Sequence, residues 1–116
     1  GCVCQLPYYL NAIAEMNKRI SQPSYYVFSD DIAWVKENLP LPKAFFIDWN
    51  KGAESWQDMM LMSRCRHHII CNSTFSWWGA WLNPRENKTV IMPERWFRHC
   101  ETPDICPDKW IKVPIN

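Results

Sequence analysis

The chain has 116 residues, of which 47% are hydrophobic and 22% charged, so it is long enough for one globular domain with a core and too short for two. Its formal net charge of +1 excludes the strongly basic surface on which nonspecific binding to nucleic acid or to anionic membranes depends. With so many apolar residues the six cysteines are not needed as a disulfide framework, and we expect buried free thiols.

The first half of the chain predicts two strands, each preceded by a helical segment. Apolar residues recur at helical spacing over residues 6–20, and Pro23 ends that element. A buried strand is predicted over residues 24–28 and a short helix over residues 32–39. A second strand over residues 44–47 then leads into a polar loop.

The second half continues the same alternation. Ser55 begins a helix in which Asp58 is the acid of the first turn. Strands are predicted over residues 68–71 and 89–92, and a helix over residues 75–82 lies between them. The remaining segment is rich in proline, and a short strand over residues 110–113 is its one predicted regular element.

Strands that alternate with helices of this length predict an α/β fold with a doubly wound parallel sheet. Ligands of such sheets bind outside the carboxyl ends of the strands. Three polar turns should gather at that edge, namely residues 29–31, 48–50 and 72–74, and Asp58 should face it from the start of its helix. Carboxylates beside hydroxyl groups and helix N termini indicate a nucleotide site.

The turn from strand to helix at residues 71–82, C-N-S-T-F-S-W-W-G-A-W-L, is the most informative stretch. Asn72, Ser73 and Thr74 supply oxygens at the start of the helix, where backbone N–H groups favour an anion. The turn alone is compatible with a phosphate site and with an ordinary helix cap.

Each acidic candidate also has two interpretations. Asp30 and Asp31 suit Mg²⁺ binding, and they equally suit capping of the helix that begins at Ile32. Asp58 suits a pair of hydrogen bonds from a guanine edge, and equally a plain acid at a helix start.

The sequence around the histidines and tryptophans indicates structural roles for them. No acid or nucleophile partner is recognisable near the histidines, and neither a nucleophile elbow nor a glycine-rich phosphate loop is present. Structural or surface roles are therefore expected for His67, His68 and His99. The tryptophans of the fourth helix are expected to pack it against the sheet; they are Trp77, Trp78 and Trp81.

Four strings resemble the α-1,2-fucosyltransferase family, glycosyltransferase family 11. They are V-F-S-D-D-I-A-W-V-K-E-N-L at residues 27–39, F-I-D-W-N-K-G at residues 46–52, S-W-Q-D-M-M-L-M-S-R-C at residues 55–65 and N-S-T-F-S-W-W-G-A-W-L-N at residues 72–83. The resemblance runs from the L-P-Y-Y string at Leu6 to Lys112 and so covers nearly the whole chain.

This resemblance implies that the whole chain, residues 1–116, is a Rossmann-like C-terminal lobe of a two-lobed GT-B glycosyltransferase. The lobe would hold GDP-fucose, and the enzyme would transfer fucose with inversion to a galactose-terminated glycan in α-1,2 linkage, without a metal or other cofactor. Asp58 would contact the guanine, and Asp30 or Asp31 would lie in the same donor pocket. The residues implied beside the diphosphate are Ser73, Thr74, Phe75 and Ser76.

One departure from the family pattern limits what this chain is expected to do. The family has an H-x-R-R-G-D type motif upstream of the L-P-Y-Y helix, and these 116 residues do not contain it. We therefore expect a fragment without the N-terminal lobe, which binds donor weakly and turns over poorly, or else a shortened paralogue without activity. The catalytic residues are not assigned.

The wider context follows from the same resemblance. A bacterial member would act in the cytoplasm, with peripheral membrane association through the absent part, and an animal member would face the Golgi lumen. Two rival functions stay open: a non-catalytic module that binds a glycan or nucleotide, and a Mg²⁺-dependent phosphotransferase built on Asp30 and Asp31.

Overall fold

The computed structural model describes residues 4–29, 31–48, 55–71, 74–95, 107 and 109–116. Helices and strands alternate along these residues, as predicted. The elements are α1 (Leu6–Arg19), β1 (Tyr25–Ser29), α2 (Ile32–Asn38), β2 (Ala44–Asp48), α3 (Ser55–Ser63), β3 (His68–Ile69), α4 (Thr74–Trp81), β4 (Val90–Pro93) and β5 (Ile111–Val113). All nine predicted elements are present, and the boundaries that were predicted differ by one or two residues at most.

Helix α1 is fixed to the sheet by one buried face. Tyr8, Ala12 and Met16 recur every four residues and are buried in the main core cluster. The Tyr8 hydroxyl donates a hydrogen bond to the carbonyl of Ile70 and lies 3.4 Å from that of Ile91. These contacts place α1 across β3 and β4.

Strand β4 shows that helices cover both faces of its sheet. Side chains of successive strand residues point to opposite faces. Ile91 packs in the cluster that contains α1, whereas Val90 and Met92 pack in the cluster that contains Ala80 of α4 and Trp110. Helices α1 and α4 therefore lie on opposite faces.

All the described strand pairs are parallel, but the described residues form two sheets. β1 pairs with β2, with Tyr25 opposite Ala44, and the second sheet has the order β3-β4-β5. The α/β class with parallel strands is confirmed. A single doubly wound sheet is not confirmed, because a cleft lies between β1 and β3. The alternation of strands and helices along a sequence does not determine which strands become neighbours.

Helices α3 and α4 pack against each other at Gly79. A Cβ atom at this position would overlap Met62 Sδ, so glycine permits the close approach. Trp77 packs with the second cluster as predicted, but the prediction is wrong for Trp78 and Trp81, which are 41% and 48% exposed. Within the described ranges, no helix is both long enough and apolar enough to span a bilayer.

Candidate functional site

The cleft between β1 and β3 is the candidate site. Its volume is about 910 Å³, which is within the range of small-molecule pockets. Its walls are the facing edges of the two strands together with parts of α1 and α2. At the carboxyl ends of the strands it is lined by polar side chains, namely Ser29, Asp31, Cys71 and Ser76.

Asp31 is exposed and caps α2. Its Oδ1 atom accepts a hydrogen bond from the Trp34 backbone N–H at 3.2 Å, and its own N–H donates to Ser29 Oγ at 2.9 Å. The capping interpretation of this residue is therefore confirmed. Capping leaves the carboxylate at the cleft mouth, so a further contact with a ligand is compatible with it. Asp30 lies outside the described residues.

Ser76 closes the turn that precedes α4. It is buried, and its hydroxyl donates a hydrogen bond to the carbonyl of Cys71 at 3.0 Å. Its single hydroxyl proton is thus committed to the strand end. Thr74 begins α4 and half-buried Phe75 follows it, whereas Ser73 lies outside the described residues.

Asp58 is not at the cleft surface. It lies in α3, its exposed fraction is 0%, and it is not among the residues that line the cleft. The structure thus brings Asp31 and Ser76 to the cleft and leaves Asp58 within the protein. Of the predicted polar turn at residues 48–50, only the backbone of the first residue is described, as the end of β2.

His68 is a structural residue, as predicted. Its Nε2 atom lies 2.9 Å from Asn83 Nδ2, and because an amide nitrogen can only donate, Nε2 accepts and the ring proton is on Nδ1. Burial, and after it the nearby positive charge of Lys88, lower the pKa of His68 to about 4. His67 is also structural, since its Nδ1 accepts from the Thr89 N–H at 2.9 Å. His99 lies outside the described residues.

Asn83 joins the C-terminal ends of α3 and α4. Its amide donates to the carbonyl of Cys65 at 2.8 Å. Lys88 Nζ donates to the carbonyls of Ala80 and Asn83 at 2.9 and 2.7 Å, which satisfies acceptors at the end of α4. The Asn83-Pro84 pair predicted only a helix stop, and no local pattern of residues indicated this network.

Two further predictions concern cysteines and metals. The described cysteines, Cys4, Cys65 and Cys71, form no disulfide bond, as expected, but only Cys4 is buried and the other two are half-buried. Cys2, Cys100 and Cys106 lie outside the described residues. Among the described residues, no group of three histidine, cysteine, aspartate or glutamate side chains is arranged to hold a metal ion.

Comparison with known proteins gives one consistent result. The profile of glycosyl transferase family 11 matches residues 1–113. An alpha-1,2-colitosyltransferase of Escherichia coli is 37% identical over 115 residues, which are 96% of this chain and 40% of that protein. The O-antigen biosynthesis glycosyltransferase WbnK of Escherichia coli is 38% identical over 112 residues, which are 96% of this chain and 37% of that protein.

A mammalian relative shows the same partial coverage. Galactoside alpha-(1,2)-fucosyltransferase 2 of Bos taurus is 28% identical over 123 residues, and the match covers 36% of that protein. The chain thus spans about two fifths of the length of these relatives. No solved structure matches.

Proposed function

This chain belongs to glycosyl transferase family 11, and from that membership we propose that it is the donor-binding part of a transferase that forms an α-1,2 linkage with fucose or a fucose-like sugar. The names of two relatives support the linkage, one with colitose and one with fucose as the sugar. Because the chain spans about two fifths of these relatives, the complete reaction is proposed for a protein that includes the remaining part.

The observation that carries this proposal is the polar mouth of the cleft at the carboxyl ends of β1 and β3. Asp31 and Ser76 both line it, Asp31 as the cap of α2 and Ser76 in the first turn of α4. Ligands of parallel α/β sheets bind at this edge, and helix N termini favour their anionic groups. We propose GDP-fucose, or the GDP derivative of a similar sugar, as the donor.

The diphosphate is proposed to lie at the start of α4. The residues assigned to it are Ser73, Thr74, Phe75 and Ser76. The Ser76 hydroxyl already donates to Cys71, so the contribution of Ser76 is its place in the first turn, where the helix dipole stabilises negative charge. Asp30 or Asp31 is proposed to accept hydrogen bonds from hydroxyl groups of the donor.

Guanine selection is assigned to Asp58. A carboxylate accepts two N–H donors of a guanine edge in a bidentate pair. In the structure the side chain is fully buried, so this assignment requires the start of α3 to shift when the nucleotide binds.

The proposed reaction is an inverting displacement without a metal. The galactoside 2-hydroxyl oxygen attacks the anomeric carbon, the bond from that carbon to the phosphate oxygen breaks, and GDP leaves while the hydroxyl proton passes to a base that is not assigned. The departing diphosphate gains charge, and loss of one donor to such charge costs about 3 to 4 kcal/mol. Because the chain lacks the family's arginine motif, we expect it to bind GDP while transferring sugar slowly.

Calorimetric titration of the chain with GDP tests the proposal, with ADP as the control ligand and a repeat in EDTA. We expect GDP to bind more tightly than ADP and EDTA to change neither affinity. Equal affinities for GDP and ADP in a chain that melts cooperatively would contradict a GDP-sugar site. Loss of GDP binding in EDTA would favour the Mg²⁺-dependent phosphotransferase.

A glycan-binding module is the second candidate, because three tryptophans of α3 and α4 face solvent. Trp56 is 61% exposed, and Trp78 and Trp81 are exposed by nearly half. An exposed indole offers an apolar face and a polar N–H, which suits a partly apolar sugar ring. Glycan binding that is unaffected by GDP and lost in Trp78→Ala would favour this candidate.

A further inference from the structure

Two strand edges face each other across the cleft. β1 pairs on one side with β2, and β3 pairs on one side with β4. In the part of the chain that the structure describes, no strand pairing joins β1 to β3. Both edges border the cleft of about 910 Å³, so the two sheets are separated where a doubly wound fold would be continuous.

The backbone of β1 offers hydrogen-bonding groups to the cleft. The Tyr25 N–H donates to the carbonyl of Lys43 on the β2 side at 2.9 Å. Because N–H and C=O directions alternate along a parallel strand, those of Tyr26 and Phe28 point away from β2. Every second residue of β1 thus presents its backbone N–H and C=O to the cleft.

β3 presents the same groups from the opposite wall. His68 N–H donates to the carbonyl of Thr89 and Ile70 N–H to that of Ile91, both at 2.9 Å on the β4 side. Ile69 lies between them, so its N–H and C=O point to the cleft. A strand between the two edges would pair with both.

The connections fix the direction and origin of such a strand. Tyr9 of α1 and Trp34 of α2 are in edge contact with a ring separation of 6.1 Å, so the two helices lie side by side on one face. Parallel strand-helix-strand connections are right-handed. Since α2 connects β1 to β2, a strand that leads through α1 into β1 would lie on the other side of β1, in the cleft.

The path of the chain into α1 agrees with this position. Cys4 is buried and lines the cleft. Tyr8, one turn later, reaches the carbonyl of Ile70 just after β3. The chain therefore enters α1 at the carboxyl edge, where a preceding parallel strand would end.

We propose that the cleft between β1 and β3 is the position of one further parallel strand, supplied by polypeptide that precedes α1 in the longer family members. The sheet order would become β2-β1-strand-β3-β4-β5. The strand would match the five residues of β1 and, covered on both faces, would be mainly apolar. The relatives have the necessary length, since this chain spans about two fifths of each. The strand would fill the cleft between the two edges and leave only the polar mouth at the carboxyl ends of β1 and β3 for the donor. The inference depends on the family relation and the backbone geometry, and not on the choice of donor.

Amide hydrogen exchange measured by NMR tests this directly. We would compare this chain with the same chain extended at its N terminus by the residues that precede the similar region in the Escherichia coli alpha-1,2-colitosyltransferase. A scrambled extension of equal composition is the control. The cleft-facing amides of Tyr26, Phe28 and Ile69 should exchange at least about tenfold more slowly in the extended chain only.

Amides that already pair within the sheets report whether each protein is folded. His68 and Ile70 should be protected in all three proteins. Unchanged exchange of the cleft-facing amides in a folded extended chain would overturn the proposal. Protection of the cleft-facing amides in the unextended chain would also overturn the proposal. If these amides are protected at low concentration, β1 pairs with β3. If their protection rises with concentration, a second copy of the chain fills the cleft.

A matched pair of proline variants gives an independent test. Tyr26→Pro removes a cleft-facing N–H, whereas Val27→Pro removes one that faces β2. We expect Tyr26→Pro to lower the melting temperature of the extended chain more than that of the unextended chain, and Val27→Pro to lower both alike. Equal effects of Tyr26→Pro on the two chains would contradict the inserted strand.

Discussion

At the scale of single residues, His68 is held neutral by burial, and this makes stability depend on pH. Its pKa is about 4 in the folded chain and about 6.5 when unfolded, so between these values only the unfolded chain binds the proton. The free energy of unfolding should be constant above pH 6.5, fall by up to about 3 kcal/mol as the pH falls toward 4, and then level off. Urea unfolding at pH 7 and pH 4.5 measures this.

Urea unfolding reports on the whole chain, so a second measurement must report the protonation of the His68 ring itself. NMR titration of the His68 imidazole should give a midpoint near 4. The midpoint of His67 should lie below its usual value, because partial burial lowers its pKa. A His68 midpoint near 6.5 would show that the contact with Asn83 does not keep the ring neutral.

Asp31 allows capping and donor binding to be separated. Asp31→Ala removes the acceptor for the Trp34 N–H and should lower the free energy of unfolding by about 1 kcal/mol. Asp31→Asn retains an equally good cap and serves as the matched control. If Asp31 also contacts the donor, Asp31→Asn should weaken GDP-fucose binding at unchanged stability, and unchanged binding would leave Asp31 with the cap alone.

Asp58 requires a variant that preserves its volume. Asp58→Asn should remove the preference for GDP over ADP if the carboxylate selects guanine, because an amide replaces one of its two acceptors with a donor. Competition calorimetry measures the preference, and a thermal melt shows whether the variant is folded. A folded variant with the same preference and a lower melting temperature would assign Asp58 to the core, where the structure has it fully buried.

The residue types in the sequence indicated what some side chains do, but not whether they are buried or which residues they contact. The cap at Asp31 follows from an acid placed just before a helical run. The burial of Asp58 and the contact between Asn83 and His68 depend on how α3 meets α4, which no local spacing describes.

At the scale of elements, the pair α3 and α4 depends on Gly79. Alanine there should cost about 1 to 3 kcal/mol through contact with Met62, although it has the higher helix propensity by about 1 kcal/mol. In a Met62→Ala background the contact is absent, so Gly79→Ala should become neutral or stabilising. A double-mutant cycle of urea unfolding measures this coupling, and additive effects would contradict it.

Element boundaries were predictable because prolines, caps and apolar runs are local signals. The orientation of α4 was not predictable from such local signals. Its sequence, T-F-S-W-W-G-A-W, is apolar almost all round, so periodicity does not identify a buried face. The small residues Gly79 and Ala80 turn inward because they allow close packing, which leaves Trp78 and Trp81 outside.

At the scale of the whole molecule, side chains of the β1-α2-β2 unit contact α1. Tyr25 donates to Asn17 at 2.7 Å, and Tyr9 contacts Trp34, whereas no strand pairing crosses the cleft within the described residues. We expect this unit to open at lower free energy than β3-β4-β5. Native-state hydrogen exchange in low urea should show Val27 exchanging before Ile70, and equal opening energies would contradict a divided sheet.

The class of fold was predictable from the whole chain, but the continuity of the sheet was not. Alternation of strands and helices implies parallel crossovers, and the described strand pairs are parallel. Which strands become neighbours depends on contacts between distant parts of the chain, and the alternation of elements does not show these contacts.

The exposed edge of β1 has a consequence for handling this protein. Natural sheets guard their edges with charged residues, prolines or bulges, whereas β1 reads Y-Y-V-F-S and has none of these side chains. Such a segment is a template for intermolecular β-sheet growth, so concentrated samples of this chain should become turbid on storage. Light scattering of the chain beside its Tyr26→Pro variant would show whether one gatekeeper residue on this edge keeps the protein in solution.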